Sequence, residues 1–131
     1  MITTYLIGQE NHLITRLSND LNNFCPQVKI IEKISSPNLS KEIIKGNKGI
    51  LVFLSLNGLC LKSFEPIKEL VLKYPIELIC LGLEKETAFL AYQLYAFQYL
   101  LQTYKPNELI SSVYNAEKNK QASKQQQVVS K

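Results

Sequence analysis

The chain has 131 residues, 46% hydrophobic and 20% charged, with a formal net charge of +4, which suits one soluble globular domain around a single substantial core. No apolar run approaches the ~18 residues that span a bilayer, and Met1-Ile2-Thr3-Thr4-Tyr5 lacks the basic and apolar regions of a signal peptide, so a cytoplasmic protein without membrane contact is expected. Residues 1–115 carry 11 basic and 10 acidic groups, while residues 116–131 carry 4 lysines against Glu117; a nearly neutral domain whose only arginine is Arg16 argues against direct nucleic-acid binding, which gathers basic side chains on one face.

In chain order, Tyr5-Leu6-Ile7 reads as a first strand ending at Gly8-Gln9. Glu10 to Asn23 places Leu13, Ile14, Leu17 and Leu21 at helical spacing on one face. Val28 to Ile34 mixes β-branched and charged residues as a less buried strand does. Ser36-Pro37-Asn38 marks a turn, and Leu39, Ile43 and Ile44 mark a short second helix closed by Gly46. Ile50-Leu51-Val52-Phe53-Leu54 is five large apolar residues in a row, too short for a globular helix and suited to a strand buried on both faces. It ends in Ser55, with Asn57-Gly58 as a turn signal.

Phe64, Ile67, Leu70 and Val71 mark a third helix that ends before Tyr74-Pro75, and Ile76 to Leu81 is a fourth strand ending at Gly82. Residues 84–95 form a fourth helix with Ala88, Ala91, Tyr92 and Tyr95. Phe97 to Leu101 is a fifth strand, and Asn107 to Asn119 a last helix with Leu109, Ile110 and Val113 inward. Strand and helix alternate five times, which predicts an α/β fold with a parallel sheet covered by helices on both faces. Residues 1–117 form the domain, and the Lys/Gln-rich stretch 118–131 is a tail, a linker or an exposed extension of the last helix.

Cys25, Cys60 and Cys80 are widely spaced, and His12 is the only histidine, so neither a disulfide framework nor a zinc site is supported and no cofactor or metal is expected. Ser55 stands where open α/β sheets bind ligands, and it is either a nucleophile or a small polar filler. Without a base assigned beside it, the filler reading is adopted and no enzymatic activity is expected. Glu10 suits a helix start through the dipole.

Several stretches resemble the receiver domain of two-component response regulators. Gly49 to Asn57 is similar to that family's third strand, of the form D-L-V-F-L-D-I-N. Ala91-Tyr92-Gln93-Leu94-Tyr95-Ala96-Phe97-Gln98-Tyr99-Leu100-Leu101-Gln102 is similar to the pattern A-F-E-x-x-A-x-D-Y-L-L-K of receivers that precede LytTR-type DNA-binding domains, and Lys105-Pro106-Asn107-Glu108-Leu109 continues it. The resemblance implies a flavodoxin-like (βα)5 three-layer sandwich with five strands in the order 2-1-3-4-5.

It does not carry over the chemistry. An ordinary receiver holds Mg²⁺ with two acids after the first strand and phosphorylates an aspartate after the third. A hydroxyl residue after the fourth strand and a lysine after the fifth then bind the phosphoryl group. Here the acids' positions fall on Gly8 and Gln9, the phosphoacceptor on Ser55, the hydroxyl on Gly82 and the lysine on Gln102. Each lost carboxylate removes on the order of 4 kcal/mol of attraction to a cation near 4 Å at an effective dielectric of ~20. The proline that follows the lysine, often through a cis bond, is replaced by Thr103, whose bond should be trans by ~3 kcal/mol. Tyr99 matches the family's switch aromatic.

The expectation is a degenerate, phosphorylation-independent receiver that works by protein contact. Its partner is a second copy or another protein, met through the face of the fourth helix, fifth strand and fifth helix, with Tyr92, Tyr95, Gln98, Tyr99 and Tyr104 as candidate interface residues. The alternative is a small-molecule sensor using the neutral pocket of Gly8, Gln9, Ser55, Gly82 and Gln102. Regular alternation along the fifth strand would put Phe97, Tyr99 and Leu101 on one face and Gln98 and Leu100 on the other.

Overall fold

A computed structural model describes residues 2–9, 11–34, 50–57, 64–73 and 76–129, without the side chains of Asn11 and residues 120–129. The predicted second helix, Glu10, Gly58 and Cys60 lie outside the described residues. The elements are β1 (Ile2–Ile7), α1 (Asn11–Phe24), β2 (Val28–Ile34), β3 (Ile50–Ser55), α2 (Phe64–Lys73), β4 (Ile76–Gly82), a 3-10 turn (Lys85–Thr87), α3 (Ala88–Gln93), β5 (Gln98–Leu101) and α4 (Pro106–Val129). All described strand pairs are parallel, in the order β2-β1-β3-β4-β5.

The apolar run that marks β3 is buried at every residue because the sheet is covered on both sides. Leu51 and Phe53 face one cluster, with Leu13, Leu17 and Leu21 of α1 and Leu109, Val113 and Ala116 of α4. Ile50, Val52 and Leu54 face the other, with Ile67 and Leu70 of α2 and Ala91 and Leu94 beside them. The strand's period of two thus feeds two separate cores, and each buried leucine or isoleucine contributes about 1.5–3 kcal/mol of transfer free energy.

The start of α4 is specified locally. Pro106 takes the first helical position, where its missing N–H costs nothing, and the Glu108 carboxylate accepts the Lys105 backbone N–H at 2.8 Å, half of a capping box. The helix continues to Val129, ten residues past the predicted end. At the other extreme α3 is shorter than predicted: the segment opens as a 3-10 turn and only Ala88–Gln93 is α-helical.

Two sequence expectations are corrected. Ile110 is 41% exposed, while Leu109, Ser112, Val113 and Ala116 form the buried stripe of α4. Phe97 and Tyr99 do not share a face: Phe97 packs with the α1/α4 cluster and Tyr99 with the α2/α3 cluster. The backbone explains the second. The Phe97 N–H reaches the Leu78 carbonyl, whereas at the other end the Gln102 N–H reaches the Gly82 carbonyl, a spacing one residue longer. The chain therefore has an irregularity between Phe97 and Gln98, which reverses the side on which Phe97 points.

Candidate functional site

The carboxyl ends of β1, β3, β4 and β5 bring together most of the residues singled out above. Gly8 and Ser55 touch: a Cβ built on Gly8 would lie 2.9 Å from the Ser55 Cβ and 3.0 Å from Ile14 Cδ1. Ser55 is 3% exposed, and its Oγ accepts the Asn57 backbone N–H at 3.3 Å. The Asn57 side-chain amide in turn donates to the Gln102 side-chain carbonyl, joining the end of β3 to the end of β5. The Gln102 N–H donates to the Gly82 carbonyl at 2.9 Å. Gln9 is exposed.

The receiver resemblance implies a Mg²⁺ site here, and the described residues do not fit one. Mg²⁺ is held through anionic oxygens, and the donors described at this mouth are a hydroxyl and carboxamides. The space in which an acidic side chain would begin at position 8 is filled by Ser55 and Ile14. Among the described residues no three His, Cys, Asp or Glu side chains come together.

Gly82 is the second contact point. A Cβ placed there would lie 2.2 Å from the Tyr99 hydroxyl, 2.9 Å from Thr87 Oγ1 and 3.0 Å from Tyr99 Cε1. The tyrosine therefore occupies the volume in which a side chain at position 82 would start. Its hydroxyl donates to the Glu84 carbonyl, and the single Thr87 hydroxyl proton goes either to that carbonyl, at 2.7 Å, or to the tyrosine oxygen. Tyr99 is thus turned inward and tied to the turn that precedes α3. Every peptide bond among the described residues is trans, including the one before Thr103.

Three participants carry no sequence signal. Asn57 reads as a turn residue but bridges to Gln102. Thr87 reads as a helix residue but holds Tyr99. Arg16 reads as a solvated helix residue, yet its guanidinium donates to the Gln102 and Tyr104 carbonyls, the second at 3.1 Å, with its Cζ 4.4 Å from the Tyr104 ring centroid. A lone arginine on the polar face of a helix was the sole available hint, and its target lies more than eighty residues away.

The interface set divides. Tyr92 is 83% and Tyr95 54% exposed on α3 and its end, and Gln98 and Tyr99 are half-buried. Tyr104 is corrected: it is 4% exposed, packs in the α1/α4 cluster and donates its hydroxyl to Asp20. Burial, then the Asp20 hydrogen bond, raise its pKa. Burial likewise pushes the Cys80 thiol up to about 12, which makes it an inert core residue. Tyr95 has φ of 60°. Its N–H bonds the Tyr92 carbonyl and the Ala96 N–H bonds the Ala91 carbonyl, the pattern that ends a helix with a left-handed residue and usually takes glycine there. Lys68 Nζ lies 5.6 Å from the Tyr95 ring centroid.

No family model matches the sequence, and no curated protein matches it. Solved structures do. The response regulatory domain of protein mrkE from Klebsiella pneumoniae superposes with a TM-score of 0.76 at 19% identity, covering 92% of this chain and 99% of that one. A response regulator receiver domain from Clostridium thermocellum gives 0.76 at 20% identity, covering 93% and 98%. A structure of the P1 domain of CheA3 in complex with CheY6 from R. sphaeroides gives 0.75 at 11% identity, covering 88% and 96%. With the strand order and the two-sided core, these likenesses establish that the chain has the flavodoxin-like fold of response-regulator receiver domains.

Proposed function

We propose that this chain is a degenerate receiver: a cytoplasmic regulatory module that signals by protein contact, without phosphoryl transfer and without enzymatic activity of its own. The carrying observation is Tyr99, held inward by Gly82, Glu84 and Thr87 beside a mouth of neutral residues. A tyrosine held that way needs no phosphoryl group to set its position. A serine hydroxyl cannot form the acyl phosphate of an aspartate, and Gln102 brings no positive charge to a phosphoryl group.

The α3–β5–α4 face, with Tyr92 and Tyr95 exposed, is the contact surface of this reading. A solved neighbour in complex with the P1 domain of CheA3 is an instance of protein contact by such a fold. The sequence pattern around Tyr99 further suggests a place beside a LytTR-type DNA-binding domain. The alternative, a sensor of a neutral metabolite, is less favoured, because Ser55, Asn57 and Gln102 already bond one another and Tyr99 fills the Gly82 notch.

Beryllofluoride with Mg²⁺, or acetyl phosphate with Mg²⁺, should leave the melting temperature and the tyrosine spectrum unchanged. A saturable shift with either would overturn the reading.

A further inference from the structure

Two grooves flank α3, and the exposed tyrosines belong to one of them. The groove over β5, between Lys85 and Asn107, is lined by neither Tyr92 nor Tyr95. The other, about 430 Å³, lies between α2 and α3, with Phe64, Glu65 and Lys68 on one wall and Tyr92, Leu94 and Tyr95 on the other. Its size is that of a ligand pocket. Phe89, one turn before Tyr92 on the same helix, is a further aromatic ring, 60% exposed, so apolar surface continues out of the groove along α3.

Lys68 carries the charge inside this groove. It is half-buried, and among the described residues it forms no ion pair: its ammonium faces the Tyr95 ring at 5.6 Å, while Glu65, one turn away on α2, is exposed and does not pair with it. A ring face attracts a cation without neutralising it, and the ammonium keeps donors to give to an incoming acceptor. Tyr95 holds its place at a cost. Its φ of 60° suits glycine, and the end of the helix needs no side chain there. What the tyrosine supplies is a ring on the groove wall beside the cation.

We propose that the groove between α2 and α3 receives a short peptide segment of a partner protein, in which an aspartate or glutamate stands beside a large apolar side chain. The carboxylate pairs with the Lys68 ammonium, and the apolar side chain lies against Phe64, Tyr92 and Tyr95. The proposal rests on the protein-contact reading above and names the partner's chemistry. Charge selects this occupant. The ammonium is drawn into the groove and partly stripped of water, so an incoming carboxylate gains more from it than an incoming cation gains from Glu65, which stays solvated at the rim. The aromatic walls call for an apolar body beside the acid. An open groove that continues along α3 to Phe89 suits a segment of several residues.

Selection of a random dodecapeptide library displayed on phage against the full chain, followed by fluorescence anisotropy with the enriched peptides, tests this. The expected peptides carry an aspartate or glutamate close to a phenylalanine, leucine or tryptophan. Lys68→Gln should weaken them about tenfold, and Lys68→Glu should bind instead the peptide whose acid is replaced by lysine. Tyr95→Gly separates binding from folding: its affinity should fall about tenfold while its melting temperature rises. Tyr92→Ala, at a residue 83% exposed, should lose affinity with an unchanged melting temperature. No enrichment, or peptides indifferent to Lys68→Gln, overturns the proposal and leaves the protein-contact reading standing. Two results put another occupant in the groove and overturn it as well: phenylacetate binding as tightly as the peptides, or self-association of the chain that Lys68→Gln abolishes. Failure of the phosphorylation-independent reading appears separately, as a beryllofluoride response.

Discussion

Gly82→Ala should cost stability because of Tyr99 and for almost no other reason. The added Cβ would lie 2.2 Å from the tyrosine hydroxyl and 3.0 Å from Cε1, closer than any side chain tolerates, and both atoms belong to a ring already wedged against the α2/α3 cluster. The ring must leave. It then loses its bonds to Glu84 and Thr87, at about 1 kcal/mol each, together with part of its apolar burial. A gain of about 0.5–1 kcal/mol from replacing glycine in a strand offsets some of this. The expected net loss is about 2 kcal/mol, or about 6–10 °C in melting temperature for a domain of this size. Urea unfolding of Gly82→Ala, Tyr99→Ala and the double variant separates the causes. In the Tyr99→Ala background the clash with the ring is gone, and the half-buried Thr87 side chain, 2.9 Å from the added Cβ, can turn into the space the ring has left, so Gly82→Ala should there be neutral within about 0.5 kcal/mol. An equal cost in both backgrounds would show that Tyr99 does not occupy the notch.

Tyr95→Gly should stabilise the chain by about 0.5–1 kcal/mol, since φ of 60° is costly for a bulky side chain and free for glycine; a measured loss would mean that the ring and Lys68 contribute more than the backbone costs. Arg16→Lys should lose about 1–2 kcal/mol in chemical denaturation, because one ammonium cannot reach two carbonyls and cover a ring as a planar fork does. An Arg16→Lys protein as stable as the parent would remove Arg16 from any role in holding the turn after β5. The raised Tyr104 pKa means that the folded state keeps its proton longer than the unfolded state. Its contribution is therefore complete below about pH 10 and is lost as pH rises beyond that. Tyr104→Phe should flatten the fall in stability above about pH 10, measured by urea titration at several alkaline pH values; an unchanged slope refutes the assignment.

Much of the fold is legible in the chain because burial pattern and period are local properties. Five apolar residues from Ile50 to Leu54 announce a strand covered on both faces, and Leu13, Ile14, Leu17 and Leu21 announce one face of a helix. Gly8, Ser55, Gly82 and Gln102 are visible as neutral residues at strand ends. Phe97 escapes such reading because a one-residue irregularity in the ladder is set by pairing with β4 and leaves no mark in composition. Ile110 escapes because its neighbours Leu109 and Val113 fill the stripe first. Tyr104 looks like its exposed neighbours and is buried because Arg16 and Asp20, far away in sequence, close over it.

The sequence by itself determined the layers of this protein, the centre of its sheet and the neutral residues at the ends of its strands, since each follows from residue type and spacing along the chain. Only the tertiary structure decided how those ends are joined. Asn57 reaches Gln102 and Tyr99 enters the notch at Gly82 because the parallel sheet brings the ends of β3, β4 and β5 side by side. Contacts between residues forty-five positions apart depend on strand order and register, which no local pattern of side chains encodes.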